Sequence, residues 1–349
     1  MAKLGPPPSS ETSPFRRLYR WAYWLPRDWS IYLRYGRPRK VVYFGGTGFG
    51  DDLLLSTVLH ELRARGERRL GVISRLTELF EHAPYVDAVI KDEWRALAAV
   101  QRFGGTTIRP VYYTRHAPPH YDVPSTQHII TAMCQSAGVR GRVALRTYLC
   151  LTESERARGQ LRANQAVIQC TAPQSLNFSP LKHWSADRYQ EVVDKLSHRL
   201  NFIQLGSHGD PPLRGAVDLR GKTTARESAA ILSCSRVCIT YVGFLMHLAR
   251  AVDTRAVVVF GGRERPDQSG YACNENLFTA LPCSPCWLRR HCLENRECMD
   301  RITADDVVAA VERALAKGGH PLEVTYEDAP DGLQDFALPW QGRYQLPPP

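Results

Sequence analysis

Two glycine-rich turns in this sequence have the residue types that bind an anion. The first is GGTGFGDD at residues 45–52, directly after the apolar run 41–44. The second begins at Gly243, and the apolar run 256–260 follows it. Each pattern predicts a strand, a tight turn and a helix N-terminus, where free backbone N–H groups receive an anion. Two such turns about 200 residues apart therefore indicate two α/β domains that face a shared, phosphate-bearing ligand.

Two adjacent aspartates follow the glycines of the first turn. Gly46, Gly48 and Gly50 allow the backbone to approach a ligand closely. Asp51 or Asp52 then stands at the start of the predicted helix, where an N-cap aspartate stabilises by about 1 kcal/mol. A cap needs only one acid, and a carboxylate beside such a turn can take a proton from a hydroxyl nucleophile. Capping and general-base catalysis both remain as interpretations.

Candidate phosphate-binding residues lie in the second half of the chain. Lys182 precedes a predicted helix and could reach a diphosphate as a point charge. Gly206 ends a buried strand, at the sheet edge where open parallel sheets bind ligands. The helix after Gly243 could hold phosphate on its first amides, with His247 in or just beyond its first turn. A lone histidine is more often a packed core residue than a ligand group, so both interpretations of His247 stay open.

Alternating strand and helix patterns predict parallel sheets covered by helices. We expect an N-terminal extension (1–40), two α/β domains (41–155 and 156–318) and a Pro-rich tail (319–349) with little regular structure. The charged stretch Glu153–Arg158 marks the expected boundary between the domains. The predicted strands are 41–44, 69–74, 88–90, 111–113, 166–169, 202–206, 217–219, 237–240 and 256–260. The predicted helices lie near 51–65, 76–82, 93–101, 125–138, 185–198, 224–234, 244–252 and 303–317.

The net charge of +10 is concentrated near the N-terminus. Residues 15–40 hold eight Arg or Lys against one acid, Asp28, together with three Trp and four Tyr. Arginines mixed with large aromatic rings suit the interface between anionic headgroups and acyl chains. The alternative is that these aromatics pack on the first domain. No recognised nucleic-acid-binding motif is present, so nucleic acid is not an expected partner.

Composition also limits the class of protein. The chain has 349 residues, of which 44% are hydrophobic, and this is ordinary for a globular protein with two cores. No run of 18 apolar residues occurs and no signal peptide is recognisable. We therefore expect a cytoplasmic protein, with the basic aromatic segment at the inner face of the membrane.

Four of the ten cysteines are clustered at Cys283, Cys286, Cys292 and Cys298. Four thiolates within 16 residues are enough to close a tetrahedral metal site. Such a site has no open coordination position, so the metal would be structural, and both zinc and iron accept four sulfurs. The alternatives are that these cysteines are free thiols, form disulfides or hold an iron–sulfur cluster.

Five segments, in this order, resemble glycosyltransferase family 9, the heptosyltransferases. They are Gly50-Asp51 with residues 53–57, Lys182-x-Trp184, residues 218–223, Gly243-x-x-Met246-His247-Leu248-Ala249, and Phe260-Gly261. The resemblance covers about residues 40–318. It implies a GT-B architecture, in which two Rossmann-like domains enclose the active site in a cleft. It also implies transfer of a sugar, typically heptose from ADP-heptose, with inversion and without a catalytic metal.

The resemblance implies roles for individual residues. Asp51 matches the family's catalytic base, with Asp52 as the neighbouring candidate. Lys182 matches a lysine near the donor phosphates, and the turn with Met246 and His247 matches the donor-binding loop. The acceptor would then lie beside the loop that holds Gly46, Gly48 and Gly50. The cysteine cluster resembles the finger of autotransporter-modifying heptosyltransferases, which binds iron and helps subunits assemble, so a homo-oligomer is also expected.

One departure from the family pattern leaves two functions open. The family usually has an acidic residue shortly before Gly243, and here residues 240–242 are Thr, Tyr and Val. The first function is an inverting transferase that moves heptose to a hydroxyl of a lipopolysaccharide-type glycan or a protein. The second is a catalytically silent relative that binds a glycan or scaffolds envelope glycan assembly. An NAD-dependent enzyme is disfavoured, because the glycines at 46–50 have the wrong spacing for a dinucleotide fingerprint.

Overall fold

The computed structural model of the protein has one parallel β-sheet in each half of the chain, with helices packed against both. The predicted loop residue Gly46 lies outside the residues that it describes. Those residues are 14–45, 48–91, 95–115, 122–176, 178–288, 292, 295–332 and 334–336.

The first half of the chain forms a four-stranded parallel sheet and its helices. Its elements are α1 (Pro14–Arg34), β1 (Lys40–Tyr43), α2 (Phe49–Ala64), β2 (Leu70–Ser74), β3 (Ala88–Lys91), α3 (Ala96–Arg102), β4 (Thr106–Ile108), β5 (Tyr113–Arg115), β6 (Asp122–Pro124), α4 (Ile129–Ser136), β7 (Gly141–Ala144) and α5 (Glu153–Arg158). The strand order is β3-β2-β1-β4. Helix α2 is buried on several sides, because it lies between this sheet, α4 and a helix of the second half. Helix α2, which begins at Phe49 and carries Asp51 and Asp52, therefore contacts both halves of the chain.

Two predicted elements of this half differ from the structure. The strand predicted at 111–113 is wrong, since the fourth strand of the sheet is β4. Pro110 follows β4 and has no N–H to continue the ladder. Tyr113 instead begins β5, which pairs antiparallel with β6 outside the main sheet. The helix predicted near 76–82 is a 3-10 turn, Thr77–Phe80.

The second half forms a six-stranded parallel sheet. Its elements are β8 (Gln165–Ile168), α6 (Ala186–Leu196), β9 (Asn201–Gln204), β10 (Val217–Asp218), α7 (Ala225–Ser233), β11 (Cys238–Tyr241), α8 (Phe244–Ala251), β12 (Ala256–Gly261), α9 (Pro266–Ser269), β13 (Glu275–Phe278), α10 (Glu297–Asp300) and α11 (Ala304–Lys317), with a 3-10 turn at Pro180–Lys182. The order β10-β9-β8-β11-β12-β13 places the start of the second half, β8, in the middle. Strand β12 is buried at all six positions, as expected of a central parallel strand. Just beyond its carboxyl end, Arg263 pairs with Asp122 of the first half.

The C-terminal segment has more regular structure than we predicted for residues 319–349. Residues Tyr326–Ala329 form a last strand, β14, which pairs antiparallel with β7 of the first half. Farther along, Phe336 forms a β-bridge with Ser125. The segment therefore crosses from the second half back onto the first. A partner strand about 180 residues away leaves no local signal in the sequence.

Helix α1 packs one face on α3 and exposes the other. The Tyr32 ring stacks on Phe103, and Asp28 is fully buried between Arg95 and Arg102. This supports the alternative in which the aromatic segment packs on the first domain, although large apolar side chains stay exposed on the opposite face. Among the described residues, no helix is both long and apolar enough to cross a bilayer.

Candidate active site between the two sheets

The two glycine turns lie against each other at the centre of the molecule. A Cβ atom built on Gly50 would stand 3.2 Å from Cδ2 of His247 and 3.7 Å from Cα of Phe244. Gly243 is the N-cap of α8, and Gly48 is the N-cap of α2. Two helix N-termini, one from each half, therefore point into the same space, and the missing side chain at position 50 lets them approach.

A cavity of about 710 Å³ lies at this junction, with walls from both halves. A cavity of this size accommodates a nucleotide-sized ligand. Most of the residues predicted from the sequence line it: Gly48, Gly50, Asp51, Lys182, Gly206, Gly243 and His247. Met246 of α8 does not line the cavity, because its side chain is fully buried in the hydrophobic core. The prediction that Met246 contacts the donor is therefore wrong for this structure.

Asp51 is held in the cavity by a tyrosine. The Tyr112 hydroxyl donates a hydrogen bond of 2.8 Å to Oδ1 of Asp51. Burial raises the pKa of Asp51 to about 6, although the Tyr112 hydrogen bond and the Lys182 charge both oppose the shift. Such a carboxyl is ionised at neutral pH and is basic enough to accept a proton, which is what a general base requires.

Asp52 occupies a different environment from its neighbour. It is buried and accepts a 2.9 Å hydrogen bond from the Ser74 hydroxyl. It lines a separate pocket of about 290 Å³, which also holds Arg75 and Arg109. Neither aspartate is the N-cap of α2, since that position belongs to Gly48. The structure therefore separates the two acids, with only Asp51 lining the cavity between the halves.

Lys182 belongs to a chain of alternating charges on the wall of the cavity. Its Nζ lies 2.6 Å from Oε1 of Glu264, and Arg263 Nη1 lies 3.1 Å from the same oxygen. The other end of Arg263 reaches Asp122, at 3.0 Å between Nη2 and Oδ2. Burial disfavours the charged form of Glu264, but Lys182 and Arg263 outweigh it and lower its pKa to about 2. The two cations are therefore held side by side by one buried carboxylate.

Sequence reasoning missed Glu264, Arg263 and Tyr112. Glu264 and Arg263 follow directly after the Gly261-Gly262 pair at the end of β12. The carboxyl end of a central parallel strand is where ligands bind, so charged residues at that point were a usable signal. Tyr112 lies in irregular backbone between β4 and β5, and no sequence signal points to it.

Comparison with known proteins identifies the family of this chain. The sequence model of glycosyltransferase family 9 (heptosyltransferase) matches residues 110–296, more than half of the chain. The chain belongs to glycosyltransferase family 9. This confirms the resemblance seen in the motifs. No curated protein matches the chain significantly.

Solved structures show the same fold at low sequence identity. E. coli ADP-heptose LPS heptosyltransferase II is 16% identical, with a TM-score of 0.60 over 80% of this chain and 99% of that one. The iron-containing dodecameric glycosyltransferase TibC from enterotoxigenic E. coli is 18% identical, with a TM-score of 0.61 over 80% and 77%. A family 9 glycosyltransferase from Veillonella parvula is 14% identical, with a TM-score of 0.58 over 80% and 97%. The fold is GT-B, and the cavity lies in its cleft.

His247, in the fourth of the family-like segments, is packed and buried, and it also lines the cleft. Its Nδ1 lies 2.6 Å from the Tyr271 hydroxyl, and its backbone carbonyl accepts a 2.6 Å hydrogen bond from Thr147. Burial lowers the pKa of His247 to about 3, so the ring is neutral at physiological pH. A neutral ring contributes hydrogen bonding and shape to the cleft but no charge.

The position of the missing family acid is filled by neutral side chains. Tyr241 and Val242 both line the cleft just before Gly243. Burial raises the pKa of Tyr241 to about 12, so it carries no charge at neutral pH. Gly206, just after β9, has φ of +138° and leaves room for the Asp210 carboxylate. The cleft therefore has no acidic side chain at residues 240–242, directly before α8.

The four clustered cysteines line one small cavity of about 20 Å³ behind the charged wall of the cleft. Within the part of the chain that the structure describes, no three His, Cys, Asp or Glu side chains are arranged as a metal-binding group. Metal binding would have to draw the four sulfurs together, to Zn–S distances of about 2.3 Å for zinc. The cysteines share a cavity, but they do not form a closed site in this structure.

Proposed function

We propose that this protein is an inverting glycosyltransferase that transfers heptose from ADP-heptose to a hydroxyl acceptor. The observation that carries the proposal is the shared cleft, where Asp51 of the first half faces Lys182 and the α8 N-terminus of the second. Family membership and the GT-B fold support sugar transfer. TibC has been solved in complex with ADP-D-β-D-heptose, which supports the same donor here.

In the proposed reaction the donor diphosphate lies against Lys182 and the first amides of α8. The acceptor hydroxyl lies beside Asp51. Its oxygen attacks the anomeric carbon, the bond from that carbon to the phosphate oxygen breaks, and ADP leaves with the electron pair. The hydroxyl proton passes to Asp51, and the configuration at the anomeric carbon inverts. No step uses a metal ion, since Lys182, Arg263 and the helix amides supply the positive charge.

The direct test of this proposal is a transfer assay with ADP-heptose. The purified full chain is incubated with ADP-heptose and a heptose-deficient lipopolysaccharide core or candidate protein acceptor, and the products are measured by mass spectrometry. We expect an added mass of one heptose on the acceptor and release of ADP. Calorimetric binding of ADP and ADP-heptose without transfer to any acceptor would favour a silent binding protein. Absence of binding to ADP, ADP-heptose and UDP would favour a scaffold.

The alternative, a catalytically silent family 9 protein, is favoured by the neutral residues Tyr241 and Val242 before Gly243. It is opposed by the intact Asp51 and Lys182 in the cleft. A scaffold does not require a buried carboxyl held by a tyrosine at the end of a glycine turn.

The pH profile of transfer should follow the ionisation of Asp51. The base acts as a carboxylate, so kcat/KM should be constant above pH 7 and fall as pH drops through about 6. Tyr112→Phe removes a hydrogen bond that favours the carboxylate, so the acid limb should move to higher pH. The measurement is kcat/KM from pH 4.5 to 8.5 for both proteins. Tyr113→Phe, on the adjacent residue that also lines the cleft, is the matched control. An acid limb that stays in place in Tyr112→Phe would contradict this assignment.

We also propose that the exposed face of α1 contacts a membrane surface. Leu18, Trp21 and Trp29 are 64%, 50% and 44% exposed, although each is large and apolar. Arg34 and Arg39 at the end of this segment are exposed as well. Apolar rings and leucines beside arginines match the chemistry of an anionic bilayer surface. This contact would bring the cleft close to a lipid-linked acceptor.

Leu18→Glu with Trp21→Glu should weaken binding to phosphatidylglycerol-containing vesicles at least tenfold. Each side chain forfeits about 1.5–3 kcal/mol of apolar burial, and the new charges repel anionic lipid. Vesicle sedimentation at two salt concentrations measures the effect. Tyr326→Glu, at a residue that is 50% exposed on β14, is the control and should bind like the wild type. Equal binding by all three proteins would argue against the membrane contact.

We further propose that Cys283, Cys286, Cys292 and Cys298 hold a structural zinc or iron ion. The support is their common cavity and their chemistry, because four thiolates are a donor set that both metals accept. When bound, the ion would supply a cross-link within residues 283–298 and no catalytic position. TibC is described as iron-containing and dodecameric, so oligomer formation is proposed for this chain too.

Metal content should depend on this cluster alone. Anaerobically purified protein should carry close to one equivalent of zinc or iron, and Cys283→Ser with Cys286→Ser should carry less than half. Cys234→Ser, at the C-cap of α7 and outside the cluster, is the control and should keep the metal. Elemental analysis with size-exclusion chromatography measures both metal and assembly. Wild-type protein with no bound metal would overturn the proposal.

A further inference from the structure

The segment that carries the four clustered cysteines, here called the cysteine segment, is described at residues 283–288, 292 and 295–298. Its backbone forms hydrogen bonds with residues in the wall of the cleft. Trp287 is buried and lines the cleft. Its backbone N–H donates a 2.9 Å hydrogen bond to the carbonyl of Arg263. One residue earlier, the Cys286 N–H donates to the Gly262 carbonyl at 3.1 Å. The Trp287 carbonyl in turn accepts from the Asp122 N–H at 2.9 Å. Trp287 thus forms backbone hydrogen bonds with Arg263 and Asp122, two members of the charged chain in the cleft.

Arg263 is held on several sides by this segment and by its two acids. Its guanidinium carbon lies 5.0 Å from the centre of the Trp287 ring, and its Nε donates to the Leu288 carbonyl at 2.9 Å. The remaining nitrogens reach Glu264 and Asp122. A planar guanidinium stacked and bonded in this way has little freedom to turn. The cysteine segment and the two acids therefore set the direction of Arg263 together.

The turn that carries Lys182 is held by the other end of the segment. Arg296 Nη1 donates to the carbonyls of Pro180 and His183, at 3.4 Å each, so it spans the Pro180–Lys182 turn. Leu181 is buried and packs in one cluster with Leu288, Cys286 and Cys292. A lysine has a long and flexible stem, so fixing its backbone limits where the ammonium can reach.

We infer that the described residues of the cysteine-bearing segment, 283–288, 292 and 295–298, position Lys182 and Arg263 for the donor diphosphate, with Arg296 as a positioning residue that spans the Lys182 turn. The inference rests on the proposed donor site and adds to it the element that orients its cations. Arg296 touches no part of the donor in this scheme. Its effect passes through the backbone of residues 180–183.

Arg296→Ala should weaken binding of ADP about tenfold and leave binding of adenosine unchanged. Lys182 and Arg263 act on the phosphates, so the loss of their alignment affects only the ligand that carries phosphates. Arg301→Ala is the matched control, because Arg301 lies five residues away and pairs with the exposed Glu297. Calorimetry measures ADP, and ligand-observed NMR measures adenosine. Arg296→Lys, which keeps the charge and one donor group, should bind ADP with intermediate affinity.

The outcomes separate this inference from the proposed function. Equal ADP affinity in Arg296→Ala and wild type overturns the inference while the donor site stands. A parallel loss of ADP and adenosine binding, or an equal loss in Arg301→Ala, also overturns it, since it shows a general structural effect. Wild-type protein that binds neither ligand overturns the proposed donor itself. If Arg296→Ala does not fold, the ADP affinity of Arg296→Lys tests the inference instead. An affinity of Arg296→Lys equal to that of the wild-type protein would overturn the inference.

Discussion

Asp51→Asn is expected to lower the rate of heptose transfer by about a hundredfold or more, while ADP binding stays close to wild type. A positioned general base contributes about 10²–10⁴-fold, and asparagine keeps the shape of the side chain without accepting a proton. The Tyr112 hydroxyl can still donate to the amide oxygen, so the fold should be kept. Single-turnover transfer and calorimetric titration with ADP measure the two quantities separately.

The adjacent Asp52 provides a control for this experiment. It accepts a hydrogen bond from Ser74 in a separate pocket. Asp52→Asn should therefore affect stability more than the chemical step. Near-normal turnover in Asp51→Asn, or a larger loss in Asp52→Asn, would show that the base is not Asp51.

Lys182→Met is expected to weaken ADP binding about 10–100-fold and also to destabilise the fold. The first effect follows from losing one hydrogen bond to a charged phosphate, worth about 1.5–3 kcal/mol. The second follows because Glu264 is buried and loses its 2.6 Å partner, and breaking a buried pair costs about 3 kcal/mol or more. Chemical denaturation and calorimetry measure the two effects independently.

The double variant Lys182→Met with Glu264→Gln distinguishes binding from stability. Glutamine removes the buried carboxylate that has lost Lys182, while Arg263 keeps its ion pair with Asp122, so most of the lost stability should return. ADP binding should remain weak, because the cation is still absent. Recovery of ADP affinity together with stability would show that Lys182 acts only as a structural partner of Glu264.

The position of the cleft could be predicted from the sequence, because its main parts are local patterns. Glycine turns after apolar strands are recognisable in short windows, and carboxyl ends of parallel strands meet at one sheet edge. Asp51 and Lys182 therefore line one cavity although 131 residues of numbering separate them. The family-like motifs cover the same turns, and the family model matches residues 110–296, which include the second turn.

What could not be predicted depends on contacts between distant segments. Tyr112 lies near Asp51 because of how a loop without regular structure is routed. Strand β14 requires β7 as a partner, and neither has a distinctive pattern. Met246 belongs to a recognisable motif, yet its side chain is buried in the core. The packing of α2 on α8 determines which residues of α8 are buried, and the motif does not show this packing.

The close approach at Gly50 limits how the two halves of the protein can move. Because Phe244 and His247 lie against position 50 with no side chain between them, that point can serve as a fulcrum. Opening the cleft would then be a rocking motion about α2 and α8, and substrates would enter from the far rim. An alanine at position 50 would require His247 to shift by a few tenths of an ångström. A bulky side chain there would act as a wedge between α2 and α8. Such a wedge would move Asp51, the proposed proton acceptor, away from the proposed site of the leaving ADP without altering the residues of either site.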